Sequence, residues 1–78
     1  MDHTMSDIGT LLRTRREALG LRQEDVVLST GSSVKFLSGI ERNGPRPRTP
    51  FADLRTLVEA LGGTIEIRFP DESEDQNE

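Results

Sequence analysis

The apolar positions of this chain fall into four helical stripes and one alternating run. Ile8, Leu11, Leu12 and Leu19 recur near the i, i+3, i+4 spacing of an amphipathic helix, which Ser6 or Asp7 can cap and Gly20 can end as a left-handed residue. A short second helix is expected from Gln23 to Ser29, with Val26 and Val27 inward; Arg22 stands where a capping Ser or Thr would be expected. Gly31 makes a sharp turn, and Ser33 caps a third helix, Val34 to Arg42, with Leu37 and Ile40 toward the core. The run "NGPRPRTP" breaks that helix, since each proline fixes φ and disfavours helix in its predecessor. Thr49 as cap and Pro50 at the first helical position start a fourth helix. Its stripe is Phe51, Leu54, Leu57, Val58 and Leu61, and Gly62 and Gly63 stop it.

"TIEIRF" changes period. Ile65, Ile67 and Phe69 share one face, and Thr64, Glu66 and Arg68 the other, as in a half-buried strand ended by Pro70. A lone strand cannot satisfy its own backbone N–H and C=O groups, and the pattern offers no second strand. Two placements are open: pairing with the same strand of a second copy, antiparallel about a two-fold axis, or lying as an extended tail on the helices. The first is carried forward. The expected fold is therefore mainly α, with a flexible start at residues 1–7, a four-helix domain at 8–62 and one C-terminal β-strand at 63–70 pairing across a homodimer. A highly charged tail at 71–78, low in apolar content, is expected to be disordered.

Seventy-eight residues make one small domain with a modest core, of a size that often needs a staple or a partner. There is no cysteine, so neither a disulfide framework nor a thiolate metal site can supply it. The one histidine, His3, lies in the expected frayed start. No apolar run approaches a membrane span and no secretory pattern is present, which fits a cytoplasmic protein. No cofactor is expected. A nucleophile–base pair, metal-ligand spacing and a glycine-rich phosphate loop are all missing from the sequence, so an enzyme is not expected.

Charge looks at first like an argument against nucleic acid, since the net value is −4. Its distribution reverses that. All ten basic residues lie between Arg13 and Arg68, while the tail "DESEDQNE" carries five acids and no base. Without the tail, ten basic residues face nine acidic ones; between Arg13 and Arg48, eight basic residues face only Glu17, Glu24, Asp25 and Glu41. The body is basic and the acid is appended.

The stretch "IGTLLRTRREALGLRQEDVVLSTGSSVKFLSGIERNG" resembles the helix-turn-helix domain of phage repressors and xenobiotic-response-element-type regulators, with a lambda-repressor-like fold. Arg16, Gly20, Leu21 and Gln23 carry one part of the pattern, Gly31 and Ser33 the turn, and Ser38, Ile40, Glu41 and Arg42 the close. Val27, Ser29 and Ser32 depart from it, the first standing where the family favours Ala and the others where apolar residues are usual. The continuation "LRTLVEALGGTIEIRF" looks like the C-terminal part of HipB-type antitoxins, which dimerise through a strand after the last helix and bind a HipA-type kinase toxin as well as operator DNA.

The resemblance implies roles by residue. Arg16 and Glu41 would form a partly buried structural ion pair. Gln23 would contact the DNA backbone, as would Arg22 beside it. On the outward side of the third helix, Ser33, Val34, Lys35, Ser38 and Gly39 are the base-contacting candidates: Ser33 and Ser38 by hydroxyl, Val34 by apolar contact with a thymine methyl, Lys35 to guanine O6/N7 or a phosphate. Gly39 has two open readings, either close approach of the helix backbone to the groove or relief of a clash inside the protein. Arg42, Asn43, Arg46 and Arg48 are phosphate-contacting candidates, the last two on a proline-stiffened loop that could also simply be solvated. Phe36 reads as packing. Arg13 and Arg15 read as solvated, or as partners of Glu17.

Together these imply a homodimeric repressor on an inverted-repeat operator in double-stranded DNA, acting on the prokaryotic nucleoid. Within that class the strand and the tail point to an antitoxin with a HipA-like kinase toxin as partner. The competing readings are a phage-type or restriction-controller regulator without a toxin, and a protein–protein interaction module on the same fold.

Overall fold

The computed structural model describes residues 5–70, where four helices follow one another: α1 (Met5–Ala18), α2 (Gln23–Thr30), α3 (Val34–Asn43) and α4 (Phe51–Ala60). The expected frayed segment around His3 and the acidic tail 71–78 lie outside the described residues. α1 starts earlier than the sequence suggested, ahead of the Ser6 or Asp7 cap and inside the segment expected to be flexible. Asp7 stands in its first turn, where the helix dipole favours a negative charge.

Local chemistry sets the helix ends. α1 closes with two crossed backbone bonds, Leu21 N–H to Arg16 C=O at 3.1 Å and Gly20 N–H to Glu17 C=O at 3.0 Å. That motif needs a left-handed residue, and Gly20 supplies it at φ 74°. α4 closes the same way, Gly63 N–H to Val58 C=O at 2.9 Å and Gly62 N–H to Glu59 C=O at 3.0 Å. At the start of α2, Asp25 stands in for the missing cap: its carboxylate accepts from Arg22 N–H at 2.8 Å. Ser33 caps α3, its Oγ accepting from Phe36 N–H at 3.1 Å.

The start of α4 corrects the sequence reading. Pro50 is the N-cap rather than the first helical residue, because its carbonyl accepts from Asp53 N–H and Leu54 N–H. Thr49 caps nothing in α4. Its hydroxyl turns back to accept from Arg46 N–H at 2.8 Å and closes the preceding loop.

The core is Leu12, Val26, Leu37, Ile40, Leu57 and Leu61, with Ile8, Leu21, Val27, Phe36, Leu54 and Val58 packed on it. α3 lies in the middle, packed against α1 and α2, and α2 also meets α4. Three residues expected in the stripes are not covered. Leu11 is 68% exposed, Phe51 53%, and Leu19 is also exposed. The buried side of α1 runs through Ile8, Gly9, Leu12 and Arg16, so Leu11 and Leu19 fall beside it; Phe51, at the head of α4, is likewise left uncovered.

Gly9 sets the closest approach of α1 to α3. A Cβ there would collide with the carbonyl of Ile40 and stand 2.8 Å from that of Glu41. Two of the departures noted, Ser29 in α2 and Ser32 just after it, are satisfied by local hydrogen bonds. Ser29 and Thr30 donate their hydroxyls to Val26 C=O, and Ser32 bonds to the Thr30 hydroxyl.

Among the described residues there is no β-strand. Residues 64–69, expected as the dimer strand, carry no regular structure and make no ladder with other described residues. Ile65 is half-buried, whereas Ile67 and Phe69 are 68% and 56% exposed.

Candidate nucleic-acid interface

α3 presents two different faces. Leu37, Ile40 and Glu41 are buried, while Ser33, Val34, Lys35, Arg42 and Asn43 are exposed and Ser38 and Gly39 half-exposed. This follows from the 3.6-residue period, which places positions 37, 40, 41 and 44 on one side. Phe36 lies at the border, half-buried against the core.

The buried side is pinned by charge. Arg16 Nε donates to Glu41 Oε2 at 2.6 Å and Arg16 Nη2 to Glu41 Oε1 at 2.9 Å, a bidentate pair with the residues 8% and 6% exposed. Arg16 Nη1 also donates to Leu21 C=O at 2.8 Å, and Gln23 Nε2 donates to Glu41 Oε1 at 3.0 Å. One carboxylate thus ties α1, the turn after it, α2 and α3 into a single hydrogen-bonded unit. Burial pushes the Glu41 carboxyl up, but the bonds from Arg16 and Gln23 outweigh it and hold it below the usual range. The hydrogen bonds to Glu41 raise Arg16 in turn.

Gln23, expected at the DNA backbone, therefore has an amide donor engaged inside the protein. Arg22, also expected there, is exposed but paired: its guanidinium lies 3.3 and 3.5 Å from the Asp25 carboxylate oxygens. Asp25 is lowered, first by the backbone N–H of Arg22 and then by its side chain.

The other basic side chains sort into two groups. Arg13 pairs with Glu17, Arg55 with Glu59 and Arg68 with Glu66. Arg15, expected to be solvated or to pair with Glu17, is exposed, and its Nε donates to Leu61 C=O at 2.9 Å, capping the end of α4. With Arg16 and Arg22 these make five cations on carboxylates and one on a carbonyl. The remaining four, Lys35, Arg42, Arg46 and Arg48, meet no carboxylate among the described residues; Arg42 makes only a long bond to Ser38 C=O at 3.4 Å. All four lie on α3 or the loop after it. Among the described residues, the cations that meet no carboxylate therefore all lie on α3 and its exit.

Gly39 is decided in one respect. A Cβ built there meets nothing within 4 Å, so relief of an internal clash is not its purpose. It opens instead onto a cleft of about 320 Å³ between α3 and the loop, lined by Ser33, Lys35, Phe36, Ile40, Arg46 and Thr49.

Sequence reasoning missed Gly9, Arg15 and the engagement of Gln23. None of these carries a local signal, unlike the pairs Arg13–Glu17, Arg22–Asp25 and Arg55–Glu59, which lie three or four residues apart. No group of His, Asp or Glu among the described residues could hold a metal ion, and no helix there is long and apolar enough to cross a membrane.

The sequence model of a family described as "Helix-turn-helix domain" matches residues 7–68, from the first turn of α1 through the segment after α4. No curated protein and no solved structure matches the chain.

Proposed function

The chain belongs to this helix-turn-helix domain family, and from that premise we propose that it is a dimeric, sequence-specific repressor that sets α3 into the major groove of an inverted-repeat operator. The observation that carries this is the segregation of charge. Five of the ten basic side chains are spent on carboxylates and Arg15 on a carbonyl, while Lys35, Arg42, Arg46 and Arg48, all exposed on α3 or the loop after it, meet no carboxylate among the described residues. A solvated surface without a polyanionic partner gives no reason for that sorting.

The homodimer is supported by what the protomer leaves uncovered. Ile8, Leu11, Leu54, Val58 and Ile65 line an apolar groove of about 560 Å³ between α1, α4 and the segment after it. Ile67 and Phe69, on that same segment, are more than half exposed. Antiparallel pairing of residues 64–69 about a two-fold axis satisfies their backbone and covers these side chains together. The antitoxin role, with a HipA-like kinase toxin as partner and a cytoplasmic site of action, rests on the resemblance of "LRTLVEALGGTIEIRF" alone. A regulator without a toxin is the alternative, and the exposed apolar groove favours a protein–protein module as the next reading.

The test is a gel shift with duplex DNA from upstream of the protein's own gene, at low salt and then at rising salt. A specific shift that weakens steeply with salt supports the proposal. No shift at low salt defeats it and leaves the interaction-module reading. Co-purification with the product of an adjoining kinase-like reading frame tests the antitoxin role separately.

A further inference from the structure

We propose that the notch at Gly39 is a binding pocket for the C5-methyl group of a pyrimidine in the major groove, with Lys35 and Arg46 holding the phosphates beside it. The inference rests on the DNA-binding reading above and names what this part of α3 takes.

Gly39 stands inside α3, where glycine is disfavoured against alanine because it orders more backbone and buries no side chain. Nothing among the described residues requires it. Its φ is not left-handed, and an added Cβ would touch no neighbour. Gly9, also inside a helix, is the contrast: there a Cβ would strike the backbone of α3. The space left by Gly39 is therefore directed outward.

The lining gives that space its chemistry. Phe36 and Ile40 make an apolar floor, Ile40 itself buried. Lys35 and Arg46 stand at the rim, neither paired with a carboxylate among the described residues. A polar base edge entering such a floor would lose its water without gaining a partner. Among the unmodified bases only thymine offers an apolar group in the major groove, its C5-methyl, and 5-methylcytosine offers the same group on a G·C pair. An apolar pocket with a cationic rim matches a methyl group flanked by phosphates.

The probe is the duplex enriched from a random-sequence library by the full-length protein. Each thymine in it is replaced in turn by deoxyuridine, which removes only the methyl group. At one position in each half-site the affinity is expected to fall about four-fold, the worth of one buried methyl. At that position a 5-methylcytosine·G pair is compared with a cytosine·G pair. A methyl effect there too assigns the pocket to either methylated pyrimidine, and an effect confined to thymine assigns it to thymine alone. Gly39→Ala, which has room to fold, puts a methyl group at the opening above Gly39 where the pyrimidine methyl would enter, and should bring the thymine-to-deoxyuridine ratio to about one while binding to the deoxyuridine duplex persists.

Wild-type protein that is indifferent to deoxyuridine at every position overturns the pocket. So does a Gly39→Ala protein that keeps the full methyl preference. Failure to enrich any duplex overturns the DNA-binding reading and this inference with it, and the three results are distinguishable.

Discussion

Arg16 on α1 and Glu41 on α3, 25 residues apart, share a bidentate ion pair of 2.6 and 2.9 Å inside the domain. Both charges are out of water, so their attraction is set against a large desolvation cost. Removing one partner leaves the other buried and unpaired. Arg16→Met or Glu41→Leu alone is expected to cost about 3–5 kcal/mol, enough to unfold much of a small domain. The double variant should be much more stable than the two losses added together. Urea unfolding of all four proteins measures the coupling, and simple additivity would show that the pair does not act as a unit.

The same carboxylate gives the domain an acid limb. Glu41 is held below its ordinary value of 4.5, so the folded state binds its proton more weakly than the unfolded state does. Its contribution is complete above that value and is lost as the pH falls through the lower folded one. Asp25, held below its ordinary 3.8 by the Arg22 N–H, adds in the same direction. The urea midpoint of the wild type should therefore fall between about pH 5 and pH 3. Glu41→Gln, less stable at pH 7, should show a shallower fall over that range. Equal slopes in the two proteins would remove Glu41 as the source.

These two effects show what the sequence could disclose. Gly20 and Ser33 act on backbone groups within five residues, so their roles were readable from neighbours. Arg15 was not, because its acceptor, the Leu61 carbonyl, lies 46 residues away and has no side-chain signature. Leu11 and Phe51 fitted helical stripes yet are exposed, since periodicity marks an apolar face without saying whether a small domain has anything to cover it. The cation set on α3 and its loop was visible in outline. That it is the part meeting no carboxylate among the described residues appeared only when the folded chain paired the rest.

Two helical glycines should respond in opposite ways to the same substitution. Gly9→Ala drives a Cβ into the backbone of α3, and α1 must move away from the core. A loss of about 2–3 kcal/mol is expected, as for other overpacked sites. Gly39→Ala meets nothing and should gain about 1 kcal/mol from helix propensity. Thermal unfolding distinguishes them directly. A destabilised Gly39→Ala would mean that the glycine serves the fold after all.

Neutralising Lys35, Arg42, Arg46 or Arg48 should weaken DNA binding with little effect on stability, since none is paired with a carboxylate among the described residues. Each phosphate contact removed should lower the slope of log affinity against log salt by about one. Arg55→Gln is the control, because Arg55 is spent on Glu59 at 2.8 Å and lies on α4. An Arg46→Gln protein with an unchanged slope would place Arg46 off the phosphate backbone. A Lys35 variant that loses affinity unequally across sequences would mark Lys35 as reading a base.

Ile67 and Phe69 test how the two α3 helices are held in register. Both are more than half exposed in the protomer, so Ile67→Ser with Phe69→Ser should leave the protomer's helical content and unfolding midpoint nearly unchanged at concentrations where it is monomeric. If residues 64–69 pair across a two-fold axis, the same change takes two apolar side chains per chain out of the interface. Sedimentation should then show a monomer where the wild type is a dimer. Operator affinity should drop by far more than one half-site's worth of contacts, because two linked helices bind as one ligand and two separate ones do not. Deleting residues 64–78 should reproduce both losses. A dimer that survives the deletion would place the interface elsewhere, with the groove beside Leu11 and Val58 as the next surface to substitute.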